Sequence, residues 1–410
     1  DGHYFCRAGG NRPDGLNEPV TKHERATVNQ LAILFSVSKE TIRNDLNLLA
    51  EQGVVERCHG GAIILRRIFH SQPVNNVGTS IEKFLNQVNR RKSSMINKKG
   101  KIMISKVCIL GSFNVDIIAK VDRFPKSGES ILASNTIIGP GGKGANQAMA
   151  ASKCPVQVHF VGKVGNDHFG QMAHDHLSSS DIRSFILYQD EEHKTGSAII
   201  YVSEPEGENK IAIYSGANQY ITDAEVASIA GELTDAKIFL TQLENNFEAT
   251  ALALNMAHRS GVKTILNPAP YSNRAKECLQ YVDYLTPNET EASLMSGIEI
   301  NDIESAKEAA QTIKSMGTKN IIITMGSQGA LIYDGEQFTH IPALKAVSID
   351  TTGAGDAFNG AFAAAIAQDQ PLLSAAKFAS AFASLAVERE GASNMPEYEA
   401  VLSRLAQYER

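Results

Sequence analysis

From residue 106 onward, short apolar runs recur at 107–111, 158–161, 197–202, 210–214, 237–241, 264–267, 284–286, 320–324 and 330–333. Such runs, rich in Val, Ile and Leu and bounded by Gly, Pro or Asn, predict strands. Between them apolar positions repeat at helical spacing over 145–151, 222–230, 248–259, 289–295, 303–316, 357–367 and 372–387. Alternation of this kind predicts an α/β fold with a mainly parallel sheet covered on both faces. The adjacent runs 197–202 and 210–214, around Glu206-Gly207-Glu208-Asn209, predict instead an antiparallel hairpin serving as a lid.

The first hundred residues follow another pattern. An apolar stripe through Val28, Leu31, Ala32, Leu34 and Phe35 predicts one helix, and Val37 to Leu49 a second. Ser38 stands at the N-cap position of the second, with Thr41, Arg43 and Asn44 on its outer face. That is the layout of a helix-turn-helix, whose recognition helix sets its N-terminal side chains in the major groove. Residues 53–62 then read as a short β-wing. Residues 67–103, with Arg90-Arg91-Lys92, Lys98, Lys99 and Lys101, predict a basic linker, either simply solvated or helping to hold DNA phosphate. Residues 1–20 are polar, Gly-rich and without period, and are expected to be disordered or a product of truncation or assembly. The expected domains are therefore 1–20, 21–66, 67–103 and 104–410.

Composition narrows the function only slightly. At 43% hydrophobic, 20% charged and a net charge of −6, the chain is no wholly basic nucleic-acid binder, though a local basic module is compatible with that average. Five widely spread cysteines without CxxC spacing encode neither a zinc site nor a disulfide framework, which fits a reducing cytoplasm. No apolar run of about 18 residues and no signal peptide stand out. The expectation is a cytoplasmic protein that does not span a membrane.

The chemistry concentrates in Gly-rich turns next to predicted strands and helices. Residues 350–360, Asp-Thr-Thr-Gly-Ala-Gly-Asp-Ala-Phe-Asn-Gly, end on Asp356 as an Ala-rich helix begins. Backbone N–H groups at a helix N-terminus beside a carboxylate suit a site that holds phosphate and deprotonates a hydroxyl. Alone, the turn equally suits a capping Asp. Asn114 and Asp116 follow the strand 107–111, two apart and so on one side of an extended segment, where they can take two hydroxyls of a polyol or simply form a turn. Gly141-Gly142-Lys143-Gly144-Ala145-Asn146 adds a glycine loop with a cation, and lacks the GK[ST] ending of a P-loop. Glu244, and Asn288 with Glu289 and Glu291, follow later strands and suit the water shell of a phosphate-bound Mg²⁺, or helix capping. Thr324-Met325-Gly326-Ser327-Gln328-Gly329 closes another strand with a turn suited to phosphate or ribose. Together these residues fall at strand C-termini of one open sheet, where α/β sheets bind ligands.

Two resemblances add to this reading. Residues 37–62, with Val37-Ser38, Thr41-Ile42-Arg43, Asp45-Leu46, Gly53, Arg57 and His59-Gly60-Gly61-Ala62, resemble the winged helix of DeoR-type repressors, with a shortened first helix, since only residues 21–25 precede the ATVNQLA segment. The resemblance implies DNA binding through Ser38, Thr41, Arg43 and Asn44. From about 107 to 404, GGKGANQA at 141–148 and DTTGAGDAFNG at 350–360 resemble the PfkB-type carbohydrate kinases. The implied fold is a ribokinase-like three-layer α/β sandwich with a small β lid, preceded by a partial winged helix-turn-helix.

The implied reaction is ATP-dependent phosphorylation of the primary (O5) hydroxyl of D-ribose. Similarity assigns the sugar to Asn114, Asp116, Gly142, Lys143, Asn146 and Glu244, and makes Asp356 the base. It makes the N–H groups of Gly353, Ala354 and Gly355 the anion hole. ATP falls to Asn288, Thr324, Gly326, Ser327, Gly329 and Gly355. Mg²⁺ accompanies the nucleotide, and a monovalent cation, K⁺, maps to Asp350, Thr352, Ala386, Arg389, Gly391 and Asn394. The implied partners are D-ribose, ATP, operator DNA and a second copy in a homodimer. The alternatives are a sugar-sensing repressor with little turnover, or a kinase of this type for deoxyribose, fructose, adenosine or a similar acceptor.

Overall fold

A computed structural model describes residues 105–409 except 183 and 204–207, together with 25–27, 47, 55–58 and 61–64. The chain divides into two compact units, 1–88 and 89–410. In the first, strands β1 (Arg25–Thr27), β2 (Val55–Cys58) and β3 (Gly61–Ile64) form an antiparallel sheet in the order β1-β3-β2. The β2–β3 hairpin, paired Val55 to Ile64 and Cys58 to Gly61, falls where the wing was expected. Ser38, Thr41, Arg43 and Asn44, the linker 67–103, residues 1–20 and the lid turn at 206–207 lie outside the described residues.

The second unit is built on β4 (Lys106–Leu110), β7 (Gln157–Gly165), β8 (Ser184–Asp190), β11 (Ile238–Thr241), β12 (Lys263–Leu266), β13 (Tyr284–Leu285), β14 (Asn320–Thr324), β15 (Ala330–Tyr333) and β16 (Phe338–Ile341). Their order is β16-β15-β14-β13-β12-β11-β4-β7-β8, parallel from β8 to β14 and antiparallel through β15 and β16. Alternate residues feed two separate cores: Val107, Ile109, Ile238 and Leu240 pack into one, Cys108, Leu110 and Phe239 into the other. A strand buried on both faces has no polar side to show, so it reads as a continuous apolar run.

The first core is covered by α1 (Lys143–Ser152), α2 (His168–Ser179), α8 (Ala354–Ala367), α9 (Leu372–Ala386) and α10 (Tyr398–Leu405). The second is covered by α3 (Asp223–Ser228), α4 (Ala230–Thr234), α5 (Phe247–Arg259), α6 (Glu289–Ser296) and α7 (Ile303–Lys314). The result is the expected three-layer sandwich. Every residue of α8 from Asp356 to Ala367 is buried, and its small side chains let α1 approach closely. A Cβ on Gly360 would lie 2.2 Å from the Gln147 carbonyl oxygen of α1.

A second sheet of β5 (Asn114–Val121), β6 (Asn135–Gly141), β9 (Gly196–Ser203) and β10 (Asn209–Tyr214) runs in the order β10-β9-β5-β6. The expected hairpin is therefore half of the lid, and the Asn114-x-Asp116 segment begins the other half. Register puts Asp116, Ala198 and Ile200 on one face, and Ile117, Ile138, Ile199 and Tyr201 on the other. Among the described residues, no helix is long and apolar enough to cross a membrane.

Candidate active site

Because β4, β11, β13 and β14 are parallel, their C-terminal ends open on one edge of the sheet, and the chemistry gathers there. The chain leaves β4 through Gly111-Ser112-Phe113 and passes beneath the start of α1. That crossing explains the glycines: a Cβ on Gly144 would lie 2.5 Å from Gly111 Cα, and Gly142, at φ 92°, would carry one 2.7 Å from Asn114 N. Gly141 gives room to the Asp116 carboxylate, 2.3 Å from where its Cβ would stand.

The six residues expected to hold the sugar come together with Asp356. Glu244 Oε2 accepts the Lys143 N–H at 3.0 Å and a hydrogen bond from the Ser112 hydroxyl. Asn146 Nδ2 donates to Asp356 Oδ2 at 3.1 Å. Burial first, then the charges of Glu244 and Asp356, push the Asp116 pKa up to about 6. Asp356 foremost, with Glu244 and Glu291, holds the Lys143 ammonium above its ordinary value against desolvation. Asp356, Glu244 and Glu291 thus set three carboxylates about one half-buried lysine.

Asp356 is 6% exposed on the first turn of α8, after Gly353 at φ 78° in the left-handed region. The Ala354 N–H donates to the Thr351 carbonyl at 3.2 Å. Among the described residues the N–H groups of Gly353 and Gly355 have no partner. The expected anion hole is thus open at Gly353 and Gly355 and taken up by the chain itself at Ala354.

Of the residues expected to hold ATP, Asn288 and Thr324 bridge the ends of β13 and β14, and Thr324 N–H donates to the Pro287 carbonyl at 3.0 Å. Gly326 at φ 50° and Gly329 at φ 94° shape the next turn, with Gly326 and Ser327 exposed. Asn288 and Glu291 form a capping box at the start of α6. Glu291 is also only 9% exposed, and burial first, then the charge of Asp356, raise its pKa against the opposing pull of the Asn288 N–H and Lys143. The helix-capping reading of 288–291 is what this box shows, and Glu291 lies in charge contact with Lys143 and Asp356 as well.

The six residues assigned to the monovalent cation also meet. Asp350 accepts the Thr352 N–H at 2.8 Å and the Gly391 N–H at 3.0 Å. Arg389 N–H donates to the Ala386 carbonyl at 3.0 Å, and Asn394 N–H to the Gly391 carbonyl at 3.1 Å. A Cβ on Gly353 would lie 2.8 Å from Ala392 Cα, so this loop abuts the anion-hole turn. The oxygens here, the Asp350 carboxylate and the Ala386 and Gly391 carbonyls, are hard donors of the kind an alkali cation takes, each already accepting an N–H of this loop.

Several site residues escaped the sequence reading. Asn218, 1% exposed, donates from Nδ2 to the Phe113 carbonyl at 3.1 Å, Asn114 Oδ1 at 2.9 Å and the Ser215 carbonyl at 2.9 Å, and accepts the Phe113 N–H at 3.2 Å. Ser393 Oγ donates to Asn146 Oδ1 at 2.8 Å. Gln147, Gln242 and Asn267 form a buried chain of amides beneath Asp356. Gln147 stood inside a quoted motif without a role. Asn218, about a hundred residues from its partners, left no local signal.

A three-layer sandwich with a β lid, a glycine loop and a carboxylate at a helix N-terminus defines a phosphotransferase that acts on a sugar hydroxyl. The chain belongs to the pfkB family of carbohydrate kinases, whose model matches residues 104–398. A DeoR-like helix-turn-helix domain matches 12–67, beginning nine residues before the expected boundary at 21. Ribokinase of Staphylococcus aureus (strain COL) is 38% identical over 293 residues, 71% of this chain and 96% of that protein. Deoxyribokinase of Salmonella typhi is 34% identical over 299 residues, covering 72% and 96%. The solved structure of Arabidopsis thaliana ribokinase, complexed with ribose and ATP, aligns at a TM-score of 0.68 with 31% identity, covering 74% of this chain and 99% of that one.

Proposed function

We propose that the kinase unit phosphorylates D-ribose at its primary O5 hydroxyl with ATP, and that Asp356 is the base. The observation that carries this reading is the position of Asp356: buried on the first turn of α8, beside Gly353 and Gly355 N–H groups without a partner, in charge contact with Asp116 and Lys143. Several relatives named ribokinase support the acceptor.

Asn114, Asp116, Gly142, Lys143, Asn146 and Glu244 hold the sugar, and their crowding directs its free primary hydroxyl toward Asp356. Asp356 takes the hydroxyl proton as the oxygen attacks the γ-phosphorus in line, and ADP leaves. The Gly353 and Gly355 N–H groups receive charge from the transferred phosphoryl oxygens. Asn288, Thr324, Gly326, Ser327 and Gly329 hold the nucleotide. Mg²⁺, when bound, neutralises phosphate charge, and Glu291 suits the ordering of its water shell. Asp350, Thr352, Ala386, Arg389, Gly391 and Asn394 would hold K⁺, in a loop that abuts the turn at Gly353. Asp356→Asn tests the base: turnover should fall by about 10²–10⁴-fold with sugar affinity retained. Activity above a few per cent of wild type would refute it.

The DeoR-like match supports a second activity in the same chain, binding of operator DNA through Ser38, Thr41, Arg43 and Asn44. A gel shift with and without ribose tests it, and loss of all sequence-specific retardation would count against it. The lid face bearing Ile138 at 58%, Ile199 at 49% and Tyr201 at 37% exposure supports packing of a second copy in a homodimer.

A further inference from the structure

We infer that Gln147 is a positioning residue that fixes the orientation of Asp356 from beneath, through a buried amide chain. The inference rests on the reading of Asp356 as the base. Gln147 Nε2 donates to Asp356 Oδ1 at 3.0 Å and to Asn267 Oδ1 at 3.1 Å, and Gln147 Oε1 accepts from Gln242 Nε2 at 2.7 Å. Asn267 Nδ2 in turn donates to the Thr286 carbonyl at 2.9 Å. That last bond leaves Asn267 Oδ1 as an acceptor, so the amide end of Gln147 must face both it and Asp356.

Both protons of Gln147 Nε2 are thereby engaged, and the side chain has no freedom to flip. Gln147 is 0% exposed, Gln242 1% and Asn267 7%, so the chain lies behind the pocket wall. Asn146 holds the other carboxylate oxygen of Asp356 and is itself one of the residues assigned to the sugar. When Asn146 turns to the sugar, Gln147 is the remaining side-chain donor that keeps Asp356 aimed. The charged groups around Asp356 are Lys143 on α1, Asp116 on β5 and Glu291 on α6, with Glu244 beside Lys143. Lys143 is shared among three carboxylates, so neutral amide donors hold Asp356 without drawing on that charge.

The test is the split between kcat and KM for ribose in Gln147→Met and Gln147→Glu, with Asp356→Asn beside them. Without its donor the Asp356 carboxylate is free to turn from the attacking hydroxyl, a loss felt in the transition state rather than in ribose binding. kcat should fall about 10–100-fold while KM for ribose stays within about twofold. Gln147→Glu keeps the shape should the Met variant misfold, and puts a second acceptor where the donor stood, so kcat should fall at least as far. A kcat within about twofold of wild type in both variants, or a rise in KM with kcat unchanged, overturns the positioning role. Substantial turnover in Asp356→Asn overturns the base itself, which separates the two failures.

Discussion

Asn218→Leu isolates the residue that ties Phe113 and Asn114, at the start of the lid, to the segment 215–218. Leu keeps the approximate volume and leaves no space for a rescuing water, while all four hydrogen bonds of Asn218 vanish. The Phe113 N–H and carbonyl lose a partner inside the protein, and Asn114 Oδ1 loses the contact that orients it. At about 1–2 kcal/mol for each buried backbone group, the loss of stability should be about 2–4 kcal/mol. In a body of this size that lowers the melting temperature by roughly 3–6 °C. Freed from Asn218, Asn114 should bind the sugar less well, raising KM for ribose by about tenfold, with kcat less affected. Differential scanning fluorimetry and steady-state kinetics read the two effects. A melting temperature within about 1 °C of wild type together with an unchanged KM would refute the reasoning.

Two further outcomes follow from the same geometry. Asp116 holds a proton in the folded state between about pH 4 and 6 that the unfolded chain has released, so stability should fall as pH rises through that window, by on the order of 2–3 kcal/mol. Asp116→Asn should flatten that slope in urea titrations, and an unchanged slope would locate the protonation elsewhere. Gly360→Ala should drive α8 from α1, because its Cβ meets the Gln147 carbonyl and the Ala150 side chain, and should cost about 1–3 kcal/mol with a fall in kcat. Wild-type stability in chemical denaturation would show that the helices yield freely.

The central strands were legible because each is buried on both faces: Val107 to Leu110 are all 0% exposed and read as one apolar run. The lid was only half legible. β6 carries Gly139, Pro140 and Gly141, which argue against a strand, yet it lies at the edge of its sheet, where Pro is tolerated. β5 was seen only as an extended segment, since most of its length is half-buried rather than alternating. α2 and α10 bury few positions, among them Ala173 and Leu177 in the first and Val401 in the second, too few for a clear helical period. The single helix expected over 222–230 breaks at Ile229, which ends α3 and precedes α4.

The same division runs through the site. Gly142, Lys143, Asn146 and Asp356 were legible because glycine, charge and a helix start are local signals. The amides that hold them join residues 95 to 247 apart, such as Gln242 with Gln147 and Ser393 with Asn146. No spacing along the chain encodes such a pairing; it exists only once α1, α8 and the strand ends are packed.

The central claim is that this chain transfers phosphate to the primary hydroxyl of ribose. ADP release from the full-length chain, followed with ribose, deoxyribose, fructose and adenosine and combined with ³¹P NMR of the product, tests it most directly. The account predicts the highest kcat/KM with ribose and a single phosphate ester at O5. ADP release with none of the four acceptors, or a preference of about tenfold or more for another, would contradict it.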